Sequence, residues 1–212
     1  MLKLGGYGLV RYMLPLFSQE VHFYFRPLAL FISVLGVIYG GISALRQLDL
    51  KRQIAFSSIS HMSFATAGIF TFTEAGIKGG VYLMLSHGLT SSAMFYLVGV
   101  LSDRYHTRSA MAFGGLLSSM PMFSFFIIIA SLANVGFPGT SGFLPELLVL
   151  VSVVSSVPLI LFPVLLGMFL TAAGTLLMLL RLLFGHLKIY YTESVFIDIT
   201  KLEFFVLFIL SV

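Results

Sequence analysis

The chain has 212 residues, of which 58% are hydrophobic and 9% charged, and its mean hydropathy is +1.05. A soluble domain carries about 25% charged residues, so this composition excludes an ordinary soluble protein and predicts one embedded in a membrane. The net charge of +4 comes from Lys and Arg residues that lie mostly between apolar runs, which argues against nucleic-acid binding. The chain has no cysteine, which excludes thiolate-bound zinc, cysteine-held iron–sulfur clusters and disulfides.

Seven apolar runs follow one another along the chain, and each complete run is long enough to cross the ~30 Å of hydrocarbon in a bilayer. The first and last runs are incomplete, and the fifth is interrupted. The predicted segments are Met1–Leu14, Pro27–Leu45, Gln53–Phe72, Gly79–Ser102, Leu117–Leu150, Pro158–Phe184 and Leu202–Val212. This pattern predicts an all-α, polytopic transmembrane helix bundle that forms a single membrane domain over residues 1–212.

Basic residues at the segment ends divide unequally between the two sides of the membrane. One side carries only Arg26 and Lys78. The other side carries Arg46, Lys51, Arg52, Arg104, Arg108, Arg181, Lys188 and Lys201. Because positive charge accumulates on the cytoplasmic side of membrane proteins, we predict that this richer side faces the cytoplasm or the mitochondrial matrix.

Both ends of the chain are predicted to lie within the membrane. Lys3 precedes Pro15 by about half a bilayer at ~1.5 Å per residue, and Leu202–Val212 is too short to cross. A helix that begins in hydrocarbon leaves its first N–H groups without partners. We therefore expect a piece of a longer membrane domain, whose first half is supplied by a separate chain that ends against Met1, as in a split gene.

Glycine and proline interrupt the fifth segment within the run ASLANVGFPGTSGFLPELLVL. The residues of the predicted break are Gly136, Pro138, Gly139 and Gly142. Non-helical backbone at membrane depth is tolerated only where it is buried in protein or lines a cavity, so this discontinuous helix predicts an ion or substrate site. The alternative is an ordinary loop between two short helices. The apolar flanks and the lack of any Lys or Arg between Arg108 and Arg181 disfavour that alternative.

Ionisable side chains lie deep in the apolar runs, where a charge costs at least ~2.5–3.5 kcal/mol. They are Lys3, His61, His87 and Glu146. Hydroxyl residues share the helical faces of the histidines. These are Ser57 and Ser60 beside His61, and Thr90 and Ser91 after His87. The pattern predicts a proton pathway with a supporting polar face, and interhelical hydrogen bonding alone is the alternative.

Two opposed effects are expected to act on Glu146. The helix dipole at the start of the second half-helix favours the charged carboxylate, whereas burial favours the neutral acid. This balance suits a group that takes up and releases a proton. A structural carboxylate that pairs with a neighbouring lysine is the alternative.

Four stretches resemble the family of NADH dehydrogenase subunit 4, a proton-pumping subunit of respiratory complex I. They are LKLGGYG (Leu2–Gly8), LDLKRQIAFSSISHMSF (Leu48–Phe64), LSHGLTSSAMFYLVGVLSDRYHTR (Leu85–Arg108) and SLANVGFPGTSGFLPELLVL (Ser131–Leu150). They follow the order and spacing of that family. Related Mrp cation/proton antiporter subunits share the plan, but the HTR after HGLTSS favours subunit 4.

The resemblance implies a fold of two inverted repeats, of which this chain holds the second antiporter-like half and lacks the first. It implies that Lys3 matches the central lysine of the proton path, and that His61 and His87 match histidines that relay the proton. Glu146 then matches the ionisable group on the broken helix. One departure from the family is Pro145, which stands where glycine usually precedes this group.

The implied function is proton translocation coupled to NADH:ubiquinone oxidoreduction. No redox chemistry and no metal site is expected on this chain, and NADH, FMN, iron–sulfur clusters and ubiquinone are expected on other subunits. The expected partners are lipid, the separate chain and other complex I membrane subunits, especially adjacent antiporter-like ones. The expected location is the mitochondrial inner membrane, with a bacterial plasma membrane as the alternative. An Mrp-type antiporter subunit and a structural bundle that conducts nothing are the alternative functions.

Overall fold

The computed structural model describes residues 2–17, 19–186 and 198–211 and shows a bundle of helices. In chain order the helices are α1 Leu2–Gly8, α2 Gln19–Arg46, α3 Leu50–Ile69, α4 Glu74–Tyr105, α5 Pro121–Val135, α6 Phe143–Ser156, α7 Leu161–Leu183 and α8 Lys201–Ser211. A π-helical turn, Leu9–Met13, and the turn Leu14–Leu16 continue α1. The described residues form no β-strand, and the predicted all-α helix bundle is confirmed.

Several helices extend beyond the apolar runs that predicted them. α2 begins at Gln19, and Pro27, the predicted start, lies inside the helix. α4 begins before the predicted Gly79, because Thr73 accepts a hydrogen bond from the N–H of Gly76 at 3.1 Å and caps the first turn. These end turns are polar, so a pattern of hydropathy does not detect them.

Within the described residues, three helices are long and apolar enough to cross a membrane by themselves. They are Tyr24–Arg46, Glu74–Tyr105 and Pro158–Leu183. The apolar run Gln53–Phe72 also predicted a membrane-spanning helix. The corresponding helix, α3, is not apolar enough to be among these three, because it carries serines and a histidine on faces that are buried against other helices. The interrupted segment consists of two shorter apolar helices, α5 and α6, so the predicted discontinuous helix is confirmed.

The basic ends of the helices meet at one face of the bundle. Backbone hydrogen bonds join the α2–α3 loop to the loop after α4. At the end of α4, Arg104 donates to the carboxylate of Glu203 in α8 at 2.5 Å. Asp198 accepts hydrogen bonds from N–H groups in the first turn of α5. The predicted basic side is therefore a single face, although Lys188 lies outside the described residues.

Candidate functional site

Four ionisable side chains from four helices lie side by side in the bundle. Nζ of Lys3 in α1 lies 2.8 Å from Nδ1 of His87 in α4. The ring centroids of His87 and His61 are 5.5 Å apart. Nδ1 of His61 in α3 lies 3.5 Å from Oε1 of Glu146 in α6. We call Lys3, His87, His61 and Glu146, in this order, the polar row.

The polar row is largely shielded from its surroundings. The exposed fractions are 8% for His61, 4% for His87 and 7% for Glu146, and Lys3 is half-buried. A charge at such a position is stable only beside a partner that compensates it. Glu146 is the acidic member that can compensate a positive charge in the row, whereas Lys3, His87 and His61 repel one another when charged, so the protonation of one group affects the next.

The contact between Lys3 and His87 limits where their protons lie. A protonated lysine has three donors and no acceptor, so Nδ1 of His87 accepts when Lys3 is charged. The neutral imidazole then carries its hydrogen on Nε2. At 2.8 Å, transfer from Lys3 to Nδ1 requires little movement of either heavy atom. The pair is thus suited to hold one proton on either side of the contact.

The helix break places the carboxylate of Glu146. α5 ends at Val135, and Gly136 follows with a φ of 73°, a left-handed conformation that ends the helix. The N–H of Phe137 then donates to the carbonyl of Leu132 at 3.1 Å. A Cβ on Gly136 would overlap the carboxylate of Glu146. Glycine is therefore favoured here by the backbone conformation, and it also leaves room for the carboxylate.

Glu146 consequently lies between two helix ends of opposite polarity. It belongs to the first turn of α6, where the helix dipole favours a negative charge. It also packs against Gly136 at the end of α5, where the helix dipole opposes a negative charge.

A small cavity adjoins the polar row. Its volume is about 10 Å³, close to that of one water molecule. The lining residues are His61, Leu83, Ser86, His87, Thr90, Ala133, Asn134, Gly142 and Glu146. Nε2 of both histidines and Nδ2 of Asn134 have no hydrogen-bond partner among the described residues. These atoms suit the cavity to polar contacts, and sequence reasoning missed two of its polar residues, Asn134 and Ser86.

The four hydroxyl residues of the predicted supporting face differ in position. Thr90 lines the cavity and donates to the carbonyl of Ser86 at 3.2 Å. Ser57 and Ser91 donate to carbonyls of their own helices. Ser60 donates to the carbonyl of Val37 in α2 at 2.9 Å. Hydroxyls in apolar helices satisfy their donors in this way. The geometry favours the interhelical alternative for Ser60, and the supporting role of the others stays a prediction.

Ser60→Ala tests the interhelical role. We expect this change to lower the free energy of unfolding by about 0.6–1.7 kcal/mol, because the bond to α2 is lost. We expect little change in proton translocation. The measurements are thermal denaturation and proton translocation of the assembled complex, with Ser92→Ala as control, since the exposed Ser92 donates only within α4. Normal stability with lost translocation would instead assign Ser60 to the proton path.

The helices and the polar row define a multi-pass membrane protein with an antiporter-like bundle. Residues 1–174 match the sequence family described as NADH:quinone oxidoreductase/Mrp antiporter, transmembrane. The chain belongs to this family. The match covers every member of the polar row and both halves of the broken helix.

Individual relatives confirm the resemblance to subunit 4. NADH-ubiquinone oxidoreductase chain 4 of Chondrus crispus is 45% identical over all 212 residues, which span 43% of that protein. The respiratory complex I of Thermus thermophilus contains a chain that is 30% identical to this one, with a TM-score of 0.89. The match covers 99% of this chain and 43% of that chain. A chain of the Mrp complex from Dietzia sp. shares the fold, with a TM-score of 0.74 and 18% identity. The match covers 77% of this chain and 31% of that chain. The chain thus spans less than half the length of these relatives.

Proposed function

We propose that this chain carries part of the proton path of a proton-translocating NADH:ubiquinone oxidoreductase. The observation that carries the proposal is the polar row, in which Lys3, His87, His61 and Glu146 succeed one another across four helices. An apolar bundle bears the desolvation cost of such groups where they serve transport. The similarity to NADH-ubiquinone oxidoreductase chain 4 supports the same reading.

Charge repulsion along the row gives a mechanism for the transfer. A proton that arrives on Lys3 raises the positive charge beside His87, and repulsion in the poorly screened interior favours passage of a proton toward His61. The contact of 3.5 Å between His61 and Glu146 then brings the proton to the carboxylate at the helix break. Release of this proton from Glu146 to the other side of the membrane completes the transfer.

The redox reaction belongs to other subunits in this proposal. NADH, FMN, iron–sulfur clusters and ubiquinone bind elsewhere, and adjacent antiporter-like membrane subunits pass the driving force to this chain. The proposed location is the mitochondrial inner membrane, with the basic face of the bundle toward the matrix. That a separate chain supplies the first half of the fold stays a prediction.

A cation/proton antiporter of the Mrp type is the second candidate, because the Mrp complex shares the fold. The two functions differ in what drives the proton. The oxidoreductase moves protons when NADH is oxidised and needs no sodium. The antiporter exchanges protons for sodium without a redox reaction.

Proteoliposomes that contain the complex with this chain separate the candidates. We expect NADH and ubiquinone to drive proton movement across the liposome membrane at the same rate with and without sodium, as followed by an internal pH-sensitive dye. A sodium gradient alone is expected to move no protons. Proton exchange driven by the sodium gradient in the absence of NADH would support the antiporter and contradict the proposal.

A further inference from the structure

An apolar groove opens beside α2 at the less basic face of the bundle. Its volume is about 600 Å³, within the ~300–1,000 Å³ typical of ligand sites. Its walls are apolar and include Leu30, Phe31 and Val34 of α2 and, on the other side, Leu159, Ile160 and Pro163. Arg26 lies among them and is the one charged residue of the described lining. The described lining of the groove therefore combines apolar walls with one positively charged side chain.

Among the residues that the structure describes, Arg26 has no partner of opposite charge. It is half-buried, and its Nε and Nη2 atoms are buried without a hydrogen-bond partner in the part of the chain that the structure describes. Lys78, the other basic residue predicted on this side, pairs with Glu74. A guanidinium group stays charged, and a buried charge without a partner is costly. No carboxylate of the described residues compensates its charge, so an anion from elsewhere can bind to it.

We propose that the groove binds one phospholipid, with the phosphate at Arg26 and an acyl chain along α2. A guanidinium group binds phosphate through two parallel hydrogen bonds. The apolar wall continues to Val34, about 12 Å along the helix at 1.5 Å per residue, and therefore enters the hydrocarbon from the charged end. A soluble phosphate would compensate the charge of Arg26 but would leave the apolar walls of the groove uncovered. A phospholipid matches both parts.

Photo-crosslinking in the intact complex tests the site. The complex is reconstituted in nanodiscs of phosphatidylglycerol and phosphatidylcholine that carry a small share of a phospholipid with a photoreactive acyl chain. We expect labelled peptides to include the groove walls at Leu30–Val34 and Leu159–Pro163. Arg26→Gln is expected to lower this labelling about tenfold, because a hydrogen-bonded charge is lost. Arg46→Gln, an exposed arginine at the other end of α2, is the matched control and leaves it unchanged.

Two further variants keep the result independent of folding defects. Arg26→Lys preserves the charge and is expected to retain part of the labelling, whereas Val34→Phe narrows the groove and is expected to reduce it with Arg26 intact. Excess inorganic phosphate should not compete, and competition would show a soluble anion instead of a lipid. Equal labelling in Arg26→Gln and the wild type would overturn the proposal. So would crosslinks from photoreactive leucine at position 30 or 159 to a neighbouring subunit in place of lipid.

Discussion

Glu146→Gln is expected to lower NADH-driven proton translocation at least about tenfold while the complex still assembles. Glutamine keeps the volume and hydrogen bonding of the side chain but does not ionise. Positioned groups that transfer protons contribute about 10²–10⁴-fold to reaction rates, so a tenfold loss is a conservative expectation. The measurements are the rate of proton uptake by proteoliposomes and the amount of intact complex on native gels.

Glu74→Gln is the matched control, because Glu74 is an exposed carboxylate at the start of α4 and pairs only with Lys78 among the described residues. We expect this variant to translocate protons like the wild type. Normal translocation in Glu146→Gln would make the buried carboxylate a structural group. A failure of Glu146→Gln to assemble would likewise contradict the expectation, since it would assign the residue to folding.

Gly136→Ala is expected to impair both stability and translocation. The left-handed backbone at φ 73° costs about 1–2 kcal/mol with a side chain, and the added Cβ would displace the carboxylate of Glu146. A displaced carboxylate loses its contact with His61, which interrupts the polar row. Thermal denaturation of the complex and proton translocation per NADH oxidised measure the two effects.

Gly139→Ala separates backbone strain from the displaced carboxylate. Gly139 also has a positive φ, 94°, but a Cβ there would meet nothing within 4 Å. We expect this control to lose stability by a similar amount and to keep translocation. Equal loss of translocation in the two variants would mean that the approach of Glu146 to Gly136 is unimportant for function.

Apolar runs predicted most of the helices, because a helix that crosses the hydrocarbon needs a long continuous stretch of apolar residues. The ends of the helices could not be predicted this way. Gln19 and Glu74 begin helices in polar sequence, where local capping and packing decide the boundary. α3 is an intermediate case, since its serines and histidine are buried by neighbouring helices and not by lipid. Hydropathy describes contact with lipid and does not describe contact between helices.

The members of the polar row could be identified in the sequence because charge inside an apolar run is costly. Their order could not, since Lys3 and His87 are 84 residues apart and meet only when α1 packs against α4. Asn134 was missed because a neutral amide gives a weaker signal than an ionisable group. The hydrogen-bond partner of the Ser60 hydroxyl could not be predicted either, because it depends on how closely α2 approaches α3. A Cβ on Gly40 in α2 would lie 2.8 Å from the backbone nitrogen of Ser60. Such contacts are tertiary properties.

If the polar row acts as one path, the number of protons moved per NADH oxidised should respond in the same way to the loss of any member. The variants are Lys3→Met, His87→Gln, His61→Gln, Glu146→Gln and the double variant His61→Gln with Glu146→Gln. Groups that act in series are strongly non-additive, so each single change should lower the stoichiometry to the same residual value and the double variant should lower it no further. Losses that add in the double variant, or a wild-type stoichiometry in any of the four single variants, would contradict a single path.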